Sequence, residues 1–141
     1  MLDGSAPRPF SPEPFLARDK LGALLGARFV SLTPEACLYE YEAAEDHFNP
    51  AGTLHGGALF TVMDSSQGML VFSLLEPPYR RALTGTATVK YLAPVRGGKV
   101  LVRTTLARRE GRKLFVHSEA VDEKGTTVAT LDEIWIAVAT Q

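Results

Sequence analysis

Ala58-Leu59-Phe60-Thr61-Val62-Met63-Asp64-Ser65-Ser66-Gln67-Gly68-Met69-Leu70-Val71-Phe72-Ser73-Leu74-Leu75 is the stretch that decides the fold. It is apolar on nearly every side of a helical wheel. A helix of that kind either spans a membrane or is buried in a protein core. A span needs roughly 20 mostly apolar residues. This run is slightly shorter and carries Asp64, Ser65, Ser66 and Gln67 in its middle. A carboxylate at mid-membrane is costly, so the spacing predicts a buried core helix. Pro77-Pro78 ends it, because proline cannot continue the hydrogen-bond ladder.

Upstream, residues 1–14 are rich in proline and small or polar residues and read as a loose arm. Phe15, Leu16, Leu21, Leu24 and Leu25 recur at helical spacing before Gly26, which predicts one short amphipathic helix over 13–25. Residues 28–31 read as a strand. Tyr39 and Tyr41 alternate with Glu40 and Glu42, the period of a half-buried strand. Downstream, alternation over 83–91 and 100–105, then 115–121 and 127–138, with turns at Gly111-Arg112 and Glu123-Lys124-Gly125, predicts an antiparallel meander. The expected class is α+β, a sheet wrapped round one long buried helix, in a single domain over 15–141. One curved sheet covers only one side of that helix, so a second subunit is expected to cover the rest or extend the sheet.

Composition excludes several classes. The formal net charge of −1 gives no general attraction to nucleic acid. Met1 to Pro7 lacks the basic start and apolar run of a secretion signal, and the single Cys37 has no internal disulfide partner. The expectation is a cytoplasmic protein without membrane attachment. No metal-spaced Cys/His cluster, nucleophile elbow, P-loop or dinucleotide fingerprint is present.

The chemistry-bearing segment is Asn49 to Gly57, followed by Asp64. Glycines at Gly56 and Gly57 leave the backbone open to a ligand, at a helix start whose first N–H groups lack internal partners. They suit a carbonyl oxygen gaining negative charge, or they simply let the helix enter a crowded core. Asp64 is the one ionisable residue between Ala58 and Leu75, a candidate catalytic acid or a structural carboxylate hydrogen-bonded within its helix. Gly56 lies eight residues before it, roughly 12 Å along the axis at about 1.5 Å per residue. Acting on one reaction, the two must come from different chains of a symmetric dimer. His55 is a base or an orienting donor. Asn49 caps the loop or points its amide at the site. Thr84 matters if it faces Asp64. Arg80-Arg81, Arg96 with Lys99, and Arg108-Arg109 with Arg112-Lys113 are solvated clusters or phosphate holders.

Asn49-x-x-Gly52-Thr53-Leu54-His55-Gly56-Gly57, then Asp64, then Tyr91-Leu92-Ala93-Pro94, resembles the PaaI-type, phenylacetic-acid-degradation-related hotdog-fold acyl-CoA thioesterases over about residues 20–138. The resemblance implies hydrolysis of an acyl-CoA without metal or redox cofactor, coenzyme A being part of the substrate, in sites between subunits of a homodimer or homotetramer. It implies an oxyanion donor at Gly56 N–H, and Asp64 as general base or nucleophile. Asn49 and His55 are implied as orienting groups, and Thr84 stands where some relatives carry a water-positioning serine. Substrate-binding expectations fall on Gly57, Ser65 and Arg96. Some relatives have threonine four residues after the acid; here Gly68 stands there, which loses that hydroxyl or moves its role to Ser65 or Thr84. The alternatives are a hotdog hydratase or dehydratase using His55, and a non-catalytic acyl-CoA-binding module.

Overall fold

The computed structural model describes residues 10–139. Two short helices, α1 (Pro12–Arg18) and α2 (Lys20–Leu25), precede strands β1 (Arg28–Leu32) and β2 (Cys37–Glu42). A 3₁₀ turn (Glu45–His47) leads to the long helix α3 (Gly56–Leu74). Strands β3 (Tyr79–Tyr91), β4 (Lys99–Glu110), β5 (Lys113–Asp122) and β6 (Thr127–Ala139) follow. The six strands form one antiparallel sheet in the order β1-β2-β4-β5-β6-β3.

The sheet buries alternate residues against α3: Cys37, Tyr39 and Tyr41 from β2, Val100 and Val102 from β4, Leu114 and Val116 from β5, Leu131 and Trp135 from β6. From the helix come Leu59, Val62, Met63, Met69, Leu70 and Val71. The expected wrapped-helix architecture is therefore the observed one. No helix among the described residues is long and apolar enough to cross a membrane.

Three local expectations need correction. The helix expected over 13–25 is two helices, broken at Asp19. There the side chain caps α2 by accepting from Gly22 N–H at 3.2 Å, so a second N-terminus begins inside one apolar stripe. The arm expected over 1–14 is helical from Pro12, since proline at the first helical position has its φ pre-set and loses no bond; residues 1–9 lie outside the described residues. The downstream strands are not a simple meander. β4, β5 and β6 form hairpins, but β3 crosses to the far edge and pairs with β6, from Tyr79 opposite Ala139 to Tyr91 opposite Ala129. Short turns read from sequence fix only sequential neighbours, and β3 is joined to β4 by a non-hairpin loop.

That placement leaves β3 as a sheet edge of 13 residues. Its alternation does not mark a buried face in this chain: Leu83 is 59% and Tyr91 52% exposed, and of the strand only Ala82 is buried.

Candidate active site

The first turn of α3 is held from several directions. Asn49 Oδ1 accepts from the N–H groups of Ala51 (3.0 Å) and Thr53 (3.1 Å), and its amide Nδ2 donates to Thr53 Oγ1 at 2.9 Å. The side chain thus closes an Asx turn at the mouth of the site. Leu54 N–H donates to Val95 O and His55 N–H to His47 O, at 2.8 and 2.9 Å. His47 is itself pinned, its Nδ1 accepting from Tyr41 O–H at 2.6 Å and from Ala44 N–H at 3.1 Å.

His55 is the N-cap of α3, and its Nδ1 accepts from Gly57 N–H at 2.9 Å. That ring nitrogen and the Gly57 N–H are therefore committed to each other. The Gly56 N–H has no acceptor among the described residues. Tyr91 O–H donates to Gly56 O at 2.7 Å, and its ring lies so close that a Cβ on residue 56 would stand 2.8 Å from Cζ. Glycine is required here by that contact. A cleft of about 490 Å³ opens beside it, lined by Asn49, Gly56, Leu59, Tyr91, Pro94 and Val95. Arg96 lines a smaller neighbouring hollow that shares Pro94 and Val95.

Asp64 lies two turns further along and lines a different cleft, of about 600 Å³, with Phe15, Ser65, Gly68, Phe72 and Trp135 among its walls and Arg18, Arg80 and Arg81 at its margin. Phe15 of α1 sits over Gly68: a Cβ there would come within 2.9 Å of the Phe15 ring and 3.4 Å of Trp135. The missing threonine hydroxyl at 68 is thus replaced by an aromatic cover. Ser65 is buried and faces Gly22 of α2 as well as the cleft.

Burial pushes the Asp64 carboxyl above the usual range. A side-chain hydrogen bond from Glu133 works against this, Asp19 adds to the rise, and the Thr84 hydroxyl favours the ionised form. The Glu133 carboxyl is pushed up to about 9, first by burial, then by the Asp64 charge and the side-chain contact with Asp64. It is 2% exposed and neither of its oxygens has a hydrogen-bond partner of standard geometry. Burial and the neighbouring Asp64 charge both favour the protonated form of Glu133.

Beneath the pair lies a buried polar network. Gln67 Oε1 accepts from Trp135 Nε1 at 3.0 Å, and Gln67 Nε2 donates to Leu131 O at 3.0 Å and Ser118 Oγ at 3.1 Å. Ser118 in turn shares a 2.6 Å bond with Thr104.

The expected site residues therefore fall into two groups. Asp64, Thr84 and Ser65 are together; Asn49, His55, Gly56 and Gly57 are together elsewhere, with Arg96 nearby. One chain does not join them. Tyr39 and Tyr41 are core, whereas Phe72 and Trp135 line the Asp64 cleft. Sequence reasoning missed Glu133, Gln67 and the clasp of Tyr91 on Gly56. An amide inside an apolar helix was the available signal for Gln67. An acid at an inward position of β6 was the signal for Glu133, visible only once strand phase is known. Among the described residues no group of three His, Cys, Asp or Glu is arranged to hold a metal.

An antiparallel sheet curved round one long helix, with an acid buried in that helix and a bare glycine amide at its start, defines the hotdog class of thioester-processing proteins. The model of the thioesterase superfamily matches residues 51–129. An acyl-coenzyme A thioesterase 13 from Mus musculus is 30% identical over 100 residues, covering 69% of this chain and 68% of that protein. Two solved structures share the fold. A mutant thioesterase from Pseudomonas aeruginosa has a TM-score of 0.84 at 19% identity, covering 97% of this chain and 98% of that one. The PaaI protein of the E. coli phenylacetic acid degradation operon has 0.83 at 17%, covering 92% and 91%. The chain belongs to the thioesterase superfamily and is a thioester hydrolase.

Proposed function

We propose that this hydrolase cleaves acyl-CoA thioesters in a site shared by two copies of the chain, with Gly56 of one protomer and Asp64 of the other. The observation that carries this reading is the course of β3. Its Thr84 lies beside Asp64, its Tyr91 clasps Gly56, and its outer edge has no strand partner among the described residues. Antiparallel pairing of two β3 edges about Ala87–Thr88 sets Thr84 of one copy across from Tyr91 of the other. It thereby brings the two half-sites together, twice per dimer.

In such a site the thioester carbonyl oxygen accepts from the unengaged Gly56 N–H. Asp64 takes a proton from water as the water oxygen bonds to the carbonyl carbon. The tetrahedral oxyanion then expels the thiolate, and Asp64 returns the proton to sulfur. Products are the free acid and coenzyme A. Burial makes Asp64 a stronger base than an exposed carboxylate. Attack by Asp64 itself, forming a mixed anhydride, is the competing route; label from heavy-oxygen water entering the enzyme in a single turnover identifies it. The reaction needs no metal or redox cofactor. The aromatic walls of Phe15, Phe72 and Trp135 support an apolar acyl group, aryl-acyl included, and Arg96 supports phosphate contacts from the Gly56 side. The buried free thiol of Cys37 suits a reducing cytoplasm.

The test is release of free thiol from a panel of aryl-, short- and long-chain acyl-CoAs, with mass measured in solution. Mixing inactive Asp64→Asn chains with chains impaired at Gly56 should restore about a quarter of wild-type activity through mixed dimers holding one intact site. No recovery despite subunit exchange, or a fully active monomer, overturns the shared site. A hydratase would instead change enoyl absorbance without releasing thiol. With Nδ1 committed to Gly57, only the other His55 ring nitrogen remains for that chemistry.

A further inference from the structure

Glu133 lies on β6, beyond the residues that the superfamily model matches. It sits at an inward position between Leu131 and Trp135, opposite Val116 on β5 and Ala87 on β3. Burying a carboxyl beside another carboxyl, with no hydrogen-bond partner of standard geometry for either oxygen, is expensive, and a core glutamine, leucine or methionine would fill the space at lower cost.

Its placement against Asp64 is fixed by packing. Gln67 binds the Leu131 carbonyl and the Trp135 indole, so it fastens α3 to β6 on both sides of Glu133. Asp64 stands one turn before Gln67 on the same helix face. Thr84, which also faces Asp64, is paired with Trp135 in the sheet. Gln67 on α3 and Thr84 on β3, both tied to β6, therefore bring the part of β6 that carries Glu133 up to Asp64, where the two side chains meet.

We propose that Glu133 is a positioning residue that donates a hydrogen bond to Asp64 and aims the Asp64 carboxylate at the reacting water. The inference rests on the role given to Asp64 above. With one proton between them, the pair has a division of labour: the outer acid accepts a proton from water and the inner acid stabilises it as a base. Neighbouring charges are consistent with this order. Asp19, from the junction of α1 and α2, opposes ionisation of Asp64. Arg18, Arg80 and Arg81 lie at the margin of the Asp64 cleft. The residues directly opposite Glu133, Val116 and Ala87, bring no charge.

Burial and the Asp64 charge hold the Glu133 carboxyl at about 9, so its proton leaves only in alkaline solution. Loss of that proton removes the donor and adds a like charge beside Asp64.

The experiment compares wild type, Glu133→Gln and Glu133→Leu by kcat/KM against pH, corrected for spontaneous thioester hydrolysis, with infrared difference spectra of the protonated carboxyl band. Wild type should lose activity and the band together near pH 9. Gln, still a donor, should keep activity within about threefold at pH 7 and lack both the alkaline limb and the band. Leu, with no donor, should lose about tenfold or more and move the acid limb to higher pH. A carboxyl band titrating in the ordinary range, an alkaline limb that survives in Gln, or equal behaviour of Gln and Leu overturns the proposal. Should Leu not fold, the band and the Gln profile decide alone. Wild type without thiol release defeats the functional reading instead, while the spectra still report on Glu133.

Discussion

The two ends of the proposed chemistry sit on one helix and are built on opposite principles. At the start of α3 the reactive group is backbone: a half-buried glycine amide left unengaged, held by Asn49 and His55 from the same loop and by Tyr91 reaching over from β3. Two turns on, the reactive group is a side chain, and its behaviour is set by residues brought from far away: Glu133 and Trp135 on β6, Thr84 on β3, Phe15 on α1. A backbone donor needs openness, because any side chain there would obstruct the approach. A carboxylate base needs enclosure, because desolvation is what strengthens it. One apolar helix supplies both by presenting its start to the surface and its middle to the core.

The sharpest way to break this contrast is Asp64→Asn. It removes the base while keeping shape, and thiol release should fall at least about a hundredfold with the fold and assembly intact. Activity near wild type would leave the enclosed end with no chemical role. At the open end, Gly56→Ala forces a Cβ against the Tyr91 ring at 2.8 Å. The ring must move and its bond to Gly56 O fails. We expect kcat to drop about tenfold with a small change in melting temperature, as befits an exposed contact. Tyr91→Phe, which deletes only the hydroxyl, should be milder, and this comparison separates steric obstruction from the lost bond.

Trp135→Phe probes the enclosure without touching the reactive acid. It strands the Gln67 carbonyl in a buried site, so stability in urea should fall by about 1–3 kcal/mol, with a smaller effect on rate. The smallest effect belongs to Arg96→Ala. KM for acyl-CoA should rise a few-fold, roughly the worth of one exposed charge-assisted contact, and KM for a short thioester lacking the nucleotide should not change. A change for both substrates would move Arg96 out of phosphate binding.

The open end was legible in the sequence because its parts are adjacent in the chain. Asn49, Gly52, His55, Gly56 and Gly57 form one loop and helix start, and their residue types carry their own turn and cap preferences. Asp64 was legible as an isolated acid in an apolar run. The clasp of Tyr91 on Gly56 was not, although both belong to the recognised motif, because nothing in the spacing says which strand lies over the helix start. Glu133 looked like one more acid beside Asp132. Only strand phase separates them: Asp132 points out to His117 at 2.7 Å, whereas Glu133 points into the core. The break at Asp19 was hidden by an apolar stripe that continues through it.

By itself the sequence determined that a long apolar helix must be buried under an antiparallel sheet, and that a glycine start and a lone acid share that helix. Hydrophobic period and residue chemistry are local properties, and they suffice for this. The tertiary structure decided that β3 crosses to the far edge, that Phe15 covers Gly68, and that a second carboxyl backs Asp64. Those outcomes depend on which strands pair and which faces meet, and long-range packing fixes them only when the whole core closes at once.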